Sequence, residues 1–353
     1  MDIQKIREQQ QLDVVLLFSA EEIFASTDVY APKSCLVADE QGLALICPQG
    51  QEGKAGLLQL EYAEFGFERV EHAGENLWQI VKKRIEGKRR IGYNKYSCPV
   101  ALLEKNAFGR EYKDVSDEIS ESMLCKNPVF FEKYAEIKKM NILAYDRIRR
   151  EIHSGCTEQE LNRVVKEVYV SNSKGQVFYT GDFLSGRRTC EIAGPATEKR
   201  ISQGDTIIVD ALCACEGGYC DTTRSYFCGE PTREQVRAYE TLCALHEETK
   251  QLLRPGTVAG DIYKYVNRRL KEEGFSELVH HAGHGLGYSW YEAPYFIEDC
   301  KTVLKEDMLV ALEPGIYIPD EFGLRIENNY RVTKNGGVDV FEYKSDMEDF
   351  IID

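Results

Sequence analysis

Residues 206–227, TIIVDALCACEGGYCDTTRSYF, decide how this chain folds. The apolar start of the stretch ends at Asp210, a Glu-Gly-Gly turn signal follows, and a second strand-like run carries Asp221. A turn near Cys215 and Glu216 predicts a hairpin in which the two aspartates face each other from neighbouring strands, on one side of the sheet. Two carboxylates placed in this way repel each other and lose water. The stretch therefore indicates a cation between them.

A second hairpin with two acids is predicted nearer the carboxyl terminus. Its centre falls at Asp320, because Glu313 and Glu327 each lie seven residues from that position. The two glutamates would then lie opposite each other and face the same way. Arg325 and Tyr317 share that face by the two-residue repeat of a strand, provided that no bulge intervenes.

One histidine in a glycine-rich turn lies between the two hairpins. It is His284, in the segment GHGLG at 283–287, where glycines let the backbone come close to whatever the imidazole holds. The four carboxylates carry a charge of −4, which two divalent cations would balance. Oxygen-rich ligation with one imidazole favours Mn, Fe(II), Co or Zn over metals that prefer thiolates. Paired metals with bridging carboxylates lower the pKa of a bridging water and polarise a carbonyl.

The length of 353 residues indicates two domains. Residues 1–124 show the pattern of an α/β unit, and Asn127-Pro128 predicts the start of a long helix, so that residues 125–353 form the second domain. In the first domain the predicted strands cover residues 14–18, 34–38, 43–47 and 90–93, and the predicted helices cover 76–87 and 98–108.

The composition argues against several classes of partner. The formal charge is 44 − 59 = −15, whereas nucleic acids and anionic membranes reward a basic surface. No apolar run is long enough to span a bilayer, and the polar amino terminus lacks the layout of a signal peptide. We therefore expect a cytoplasmic protein with no nucleic-acid or membrane partner.

The twelve cysteines indicate free buried thiols, because the sequence shows no export signal that would favour disulfides. The cluster Cys213, Cys215, Cys220 and Cys228 leaves a zinc or iron–sulfur site as the alternative. Its spacing matches no common ligand pattern, so thiols packed in the strands are the favoured interpretation.

Five short motifs carry a resemblance to a known family. They are VD at 209–210, DTTR at 221–224, GHGLG at 283–287, EPGIY at 313–317 and RIE at 325–327. With these motifs the carboxyl-terminal part resembles the pita-bread metallopeptidases of the M24 type, which include methionine aminopeptidase, Xaa-Pro aminopeptidase, prolidase and creatinase. Residues 1–124 resemble the smaller amino-terminal α/β domain of creatinase and prolidase. The resemblance implies an α+β fold with antiparallel sheets covered by helices, and a homodimer.

The same resemblance implies a role for each metal ligand. Asp221 and Glu327 would bridge two divalent metal ions, Asp210 would complete one of them, and His284 with Glu313 the other. Glu313 would also handle the proton of the bridging water.

The chain departs from the family at two histidines that bind substrate and stabilise the oxyanion. In the segment of the form SGxNxxxPH, Arg188 stands at the asparagine position and Ala193 at the histidine position. Seven residues after His284, Tyr291 replaces a second histidine. A third, His280, is kept. These changes place ordinary peptide hydrolysis in question, because losing one oxyanion donor typically costs about 10²–10³ in rate.

Three further residues near these motifs are predicted to belong to the site or to its surroundings. Arg187 and Arg188 lie in the segment that lacks the family asparagine and histidine. They are predicted to bind an anionic group of the substrate, with solvated loop charges as the alternative. His281 is predicted to be a core neighbour or a support for the ligand histidine.

The leading functional hypothesis is a dinuclear metal-dependent hydrolase of the Xaa-Pro dipeptidase or aminopeptidase type, acting on a short peptide or small amide. A metal hydroxide would attack the carbonyl and Glu313 would shuttle the proton, while His280, Tyr291 and Arg325, with Tyr317 on the same face, orient charge. One alternative keeps the metals but acts on a non-peptide substrate with an anionic end, as in creatinase or dimethylsulfoniopropionate lyase. Another is a pseudo-enzyme that recruits partners without chemistry.

Overall fold

The computed structural model describes residues 1–48, 67–73, 77–99, 110–173, 177–215, 217–344 and 346–352. Residues 100–108 of the helix predicted at 98–108, and Glu216 in the predicted turn, lie outside these ranges. Contacts divide the chain into two compact units, Met1–Met123 and Leu124–Asp353. Within the described ranges, every helix is too short or too polar to span a bilayer.

The first unit contains a six-stranded mixed sheet in the order β4-β3-β2-β1-β5-β6. Strand β1 is buried along its whole length, and its side chains alternate between two cores: Val15 packs in a cluster with Ile3, and Val14 in a cluster with Val81. A continuous apolar run is typical of such a strand, covered on both faces. The strands are Val14–Leu17, Cys35–Asp39, Gly42–Pro48, Phe67–Ala73, Arg90–Tyr93 and Glu111–Asp114 (β1 to β6); the helices are Ile3–Gln9, Ala20–Thr27, Leu77–Arg84 and Ser116–Met123 (α1 to α4).

The helices of the second unit begin where the sequence places capping residues. The side chain of Asn127 accepts a hydrogen bond from the Phe130 amide at 2.7 Å, with Pro128 in the first turn, which confirms the predicted start. Thr157 and Thr232 each form a reciprocal capping box. The helices are Pro128–Glu151, Glu158–Asn172, Arg233–Thr249 and Ala259–Glu272 (α5 to α8), and 3-10 turns cover Gly186–Glu191, Lys250–Leu252 and Met347–Phe350.

The strands of the second unit form three sheets. The first has the order β18-β10-β9-β7 with β8 also paired to β9, the second has the order β12-β11-β13-β16-β17, and the third pairs β14 with β15. The strands are Val177–Thr180, Phe183–Ser185, Thr206–Cys215, Gly218–Cys228, Gly283–Gly285, Glu292–Tyr295, Leu309–Leu312, Gly315–Ile318, Phe322–Arg325, Asn328–Thr333, Gly336–Asp339 and Ile351–Ile352 (β7 to β18).

The predicted first hairpin is formed by β9 and β10, with one correction to its register. Its ladder closes at Cys215 and Gly218, and pairs Asp221 with Leu212 and Asp210 with Thr223. The two aspartates are therefore diagonal neighbours two positions apart, not direct partners. Because two positions is one full repeat of a strand, both still face the same side of the sheet. The hairpin turns later in the chain than direct pairing of the aspartates requires.

The second hairpin has the predicted centre but is split between two sheets. Leu312 pairs with Asn328 at the end of β13 and β16, and Gly315 pairs with Arg325 at the end of β14 and β15. Glu313 and Glu327 occupy the break between these ladders. A β-bridge joins Glu327 to Thr223 of β10, with its amide 3.1 Å from the Thr223 carbonyl. This bridge brings the acids of the second hairpin to the aspartates of the first.

Candidate metal centre

The five predicted ligands converge in the second unit, at the junction of its sheets. Ligand atoms of Asp221, His284 and Glu327 lie within 4.8 Å of one another, close enough to hold one ion. The His284 Nε2 atom lies 3.3 Å from Glu313 Oε1 and 3.9 Å from Glu327 Oε1. Asp210 lies on the same face of the first hairpin as Asp221. The arrangement brings together four carboxylates and one imidazole that are spread over more than a hundred residues of sequence.

The surroundings of His284 prepare one ring nitrogen for a metal. The Nδ1 atom donates a hydrogen bond to the Gly285 carbonyl at 2.9 Å, so that the neutral ring presents the lone pair of Nε2 to the acids. A Cβ atom on Gly285 would lie 2.1 Å from the Ala293 carbonyl oxygen. Glycine is required there because the neighbouring strand approaches so closely.

The electrostatics of the acids fit a cation. Burial raises the pKa of Asp221 and Glu327 well above the usual range, and their neighbouring carboxylates raise it further. Burial also raises the pKa of Asp210, to about 6, even though Arg325 opposes the change. Without a cation, Asp221 and Glu327 would hold protons at the centre of the cluster; a bound divalent ion would displace those protons and relieve the repulsion.

Glu313 behaves differently from the other three acids. Burial pushes the pKa of its carboxyl group upward, but His281, His284 and His280 outweigh it and lower the pKa to about 2. Its Oε1 atom is buried and has no hydrogen-bond partner. A buried, ionised oxygen left without a partner is costly in a protein interior, and a cation ligated there would satisfy it. The donor set and this orphaned atom therefore fit a divalent metal.

A hydrogen-bond chain runs from Asp210 to His280. The buried Arg325 guanidinium donates to Asp210 Oδ2 at 2.7 Å and to the Tyr317 hydroxyl oxygen at 3.1 Å. The Tyr317 hydroxyl lies 2.9 Å from His280 Nε2, and His280 Nδ1 donates to the His281 carbonyl at 2.7 Å. These partners fix His280 as a neutral acceptor, and burial lowers its pKa to about 4. The predicted residues His280, Tyr317 and Arg325 thus act as one linked group.

Ile192 contributes to this chain although nothing in the sequence marks it. Its φ angle is +71°, and the Ala193 amide donates to the Glu191 carbonyl at 2.8 Å, which closes a tight γ-turn. A β-branched residue rarely adopts such a conformation. The turn aims the Ile192 carbonyl at Arg325, whose Nη1 donates to it at 2.6 Å. The segment in which Ala193 replaces the family histidine therefore supports the arginine through its backbone.

Tyr291 reaches the metal centre. Its ring lies 4.9 Å from the ring of His284 and 5.3 Å from that of His281, measured between centroids, and its other side packs on Tyr295 at 4.9 Å. The next residue, Glu292, anchors the loop: it forms an ion pair with the buried Lys126. The ring of Tyr291 thus lies beside the ring of His284.

The structure does not support the predicted substrate contact of Arg188. Its guanidinium pairs with the fully buried carboxylate of Glu158 and donates to the Pro195 carbonyl at 3.2 Å. A buried carboxylate needs such a partner, so Arg188 stabilises the loop rather than facing a ligand. Arg187 is exposed, and its role in substrate binding remains a prediction.

Among the described residues, the groups of side chains close enough to share a metal ion include no cysteine. Cys213 and Cys220 are direct partners across the hairpin and are buried, and Cys228 is buried farther along β10. The favoured interpretation, thiols packed in the strands, is confirmed.

Comparison with known proteins places this site in a family. The model of metallopeptidase family M24 matches residues 132–334, more than half of the chain. This chain belongs to metallopeptidase family M24. Among curated M24 relatives, the Xaa-Pro dipeptidase of Pyrococcus horikoshii is 30% identical over 261 residues, covering 72% of this chain and 73% of the relative. A putative dipeptidase of Bacillus subtilis is 25% identical over 347 residues and covers 94% of each chain.

Solved structures agree on the fold of this M24 chain. The prolidase of Pyrococcus horikoshii superimposes with a TM-score of 0.86 at 24% identity, covering 98% of both chains. An Xaa-Pro dipeptidase from Bacillus anthracis gives a TM-score of 0.89 at 21% identity over 99% of this chain and 98% of that one. The predicted pita-bread fold and the predicted family are therefore confirmed.

Proposed function

We propose that this M24 chain hydrolyses short peptides, with Xaa-Pro dipeptides as the first substrates to test, and that it uses two divalent cations, Mn, Co, Fe or Zn. The ligands would be Asp210, Asp221, His284, Glu313 and Glu327. One observation carries the proposal most directly: these side chains meet at one buried point, where Glu313 Oε1 has no hydrogen-bond partner. The choice of substrate is supported by the similarity to the Xaa-Pro dipeptidase of Pyrococcus horikoshii.

The cations would supply Lewis acidity, which polarises the scissile carbonyl and makes an attacking water more acidic. Asp221 and Glu327, the two acids whose pKa is raised well above the usual range, would share both cations. Asp210 would bind on the Arg325 side, and Glu313 on the His284 side. The lowered pKa of Glu313 keeps its carboxylate ionised, so it would be free to accept a proton from the attacking water and to pass it to the leaving amine.

The charge that develops on the carbonyl oxygen needs hydrogen-bond donors. His280 accepts from Tyr317, whose hydroxyl oxygen accepts from Arg325, so these three groups are already paired with one another and the Tyr291 phenol is the donor assigned to the carbonyl oxygen. Tyr291 stands beside His284 and supplies an O–H where the family places an imidazole. With Ala193 offering no donor side chain, we expect slower peptide hydrolysis than in relatives that keep both histidines, by about 10²–10³.

The test pairs metal analysis with substrate turnover. Protein purified without chelator should bind about two divalent ions per chain and, loaded with Mn or Co, should hydrolyse members of a proline-dipeptide panel. Asp221→Asn should lose both the second ion and the turnover. Asp307→Asn is the matched control, since Asp307 forms a surface ion pair with Arg331 and its φ of +67° suits asparagine.

The same experiment separates the alternatives. Full metal occupancy with no turnover of any dipeptide would favour a non-peptide substrate with an anionic end. Absence of metal from the unmodified protein would contradict the proposal as a whole. We also propose a homodimer, on the resemblance to two-domain relatives, and light scattering coupled to size exclusion measures the mass of the assembly.

A further inference from the structure

We propose that His281 is an additional ligand of the cation that His284 and Glu313 hold. The inference rests on the proposed metal centre and adds a residue to it. His281 lies three positions before His284, so the two imidazoles reach the same carboxylate from one segment of chain.

The distances match those between ligands of one ion. His281 Nδ1 lies 3.1 Å from Glu313 Oε1, and His284 Nε2 lies 3.3 Å from the same oxygen. Two ligand atoms at right angles on one cation, with bonds of about 2.1 Å each, lie about 3.0 Å apart. Both imidazole nitrogens therefore stand at ligand spacing from the shared oxygen.

The two atoms in the shorter contact lack other partners. His281 Nδ1 and Glu313 Oε1 are both buried, and neither makes a hydrogen bond, although their separation of 3.1 Å would permit one. Glu313 is only 9% exposed. Two buried polar atoms in close contact but without a hydrogen bond are explained if one ion beside them binds both, and a cation is the group that binds both a carboxylate oxygen and an imidazole nitrogen.

His280 does not offer a competing explanation. Ligand atoms of His280, His281 and Glu313 also lie within 4.8 Å of one another, which raises the possibility of a separate ion. Both nitrogens of His280 already have partners, the Tyr317 hydroxyl and the His281 carbonyl. His281 is the member whose Nδ1 is without a hydrogen bond, so one shared cation accounts for the group without a further ion.

The packing of the rings holds His281 in this position. Its ring lies 5.8 Å from that of His280, 5.6 Å from that of His284 and 5.3 Å from that of Tyr291, between centroids. Neighbours on three sides restrict rotation of the imidazole and keep Nδ1 on the side of Glu313.

Calorimetric titration with Co²⁺ tests the inference on the metal-free, full-length protein. His281→Gln keeps an amide that can donate to Glu313 but is a poor ligand for cobalt; we expect one of the two binding events to weaken more than about 100-fold. That exceeds the 10–100-fold cost of losing a residue that only supports a ligand. His281→Asp, which restores a ligating atom, should recover part of the affinity. His280→Gln is the matched control, because both ring nitrogens of His280 are already paired, and it should weaken cobalt binding by less than about 100-fold.

X-ray absorption of the cobalt-loaded unmodified protein gives a readout that needs no variant. With His281 and His284 both bound, two imidazoles over two ions give about one imidazole per cobalt, against about half without His281. Equal cobalt affinity of His281→Gln and the unmodified protein, or half an imidazole per cobalt, would overturn the inference while leaving the proposed function intact. If the unmodified protein binds no cobalt, the metal centre itself is wrong and the inference falls with it.

Discussion

Replacing Arg325 by methionine should destabilise the metal-free protein far more than the metal-loaded one. The Arg325 guanidinium is 3% exposed and donates to Asp210 at 2.7 Å, to the Ile192 carbonyl at 2.6 Å and to the Tyr317 hydroxyl at 3.1 Å. Without it, Asp210 keeps a charge that no other positive side chain among the described residues offsets at that distance.

The loss of unfolding free energy depends on whether the charge of Asp210 is left without a partner. Removing one partner of a buried ion pair typically costs about 3–5 kcal/mol of unfolding free energy, because the other charge is left uncompensated. When cations are bound they offset the charge of Asp210, so only the neutral acceptors are left unpaired. The cost should then fall to about 1–3 kcal/mol.

Denaturant unfolding with a chelator and with saturating Mn²⁺ measures both quantities. Arg331→Met is the matched control: Arg331 pairs with Asp307 at 2.6 Å, but the two side chains are 40% and 38% exposed, and such a pair contributes only about 0–1 kcal/mol. A loss below about 1 kcal/mol for Arg325→Met without metal, or an equal loss with and without metal, would refute this reasoning.

Three further predictions concern other parts of the second unit. His246 is buried, its Nε2 lies 2.9 Å from the Ile326 carbonyl, and burial lowers its pKa to about 4. As the pH falls, His246 takes up a proton in the unfolded chain before it does so in the folded one. The neutral, buried His246 therefore contributes its full share of the unfolding free energy above about pH 6.5, and that share is lost as the pH falls toward 4. His246→Gln should therefore flatten the stability curve in that window by up to about 3 kcal/mol, measured as the difference between the two proteins. Tyr291→His restores an imidazole at a family position and should raise kcat/KM on a cleaved dipeptide about 10²-fold, whereas an unchanged value would show that the phenol already fills the role. Arg188→Met should cost about 3–5 kcal/mol because Glu158 is buried, while Arg187→Met, on an exposed side chain, should stay within about 0.5 kcal/mol in the same denaturation assay.

The sequence was most informative where strand periodicity and turn position act together. The two-residue repeat places Asp210 and Asp221 on one face in any register that leaves an even number of positions between Asp210 and the residue paired with Asp221. The register itself depends on where the turn closes, and the structure shows a diagonal pair rather than a direct one. For Glu313 and Glu327 the predicted centre was right, but the division into two ladders was not visible in the sequence.

The residues that were missed depend on contacts remote in sequence. The partner of Arg188 is Glu158, a residue thirty positions earlier in a different helix, and no local pattern indicates that its carboxylate is buried. The γ-turn at Ile192 occurs at a residue type that disfavours it, so propensity argues against it. The orientation of His281 toward Glu313 is set by rings from three directions, which only the folded chain brings together.

The most direct measurement is anomalous diffraction from crystals of the unmodified protein grown with Mn²⁺. We expect two manganese peaks inside the cluster, each with oxygen or nitrogen ligands at about 2.0–2.3 Å, and with Asp221 and Glu327 contacting both. A map without a peak between these side chains at saturating Mn²⁺, or with manganese bound only elsewhere on the chain, would contradict the claim that the five residues form a metal centre.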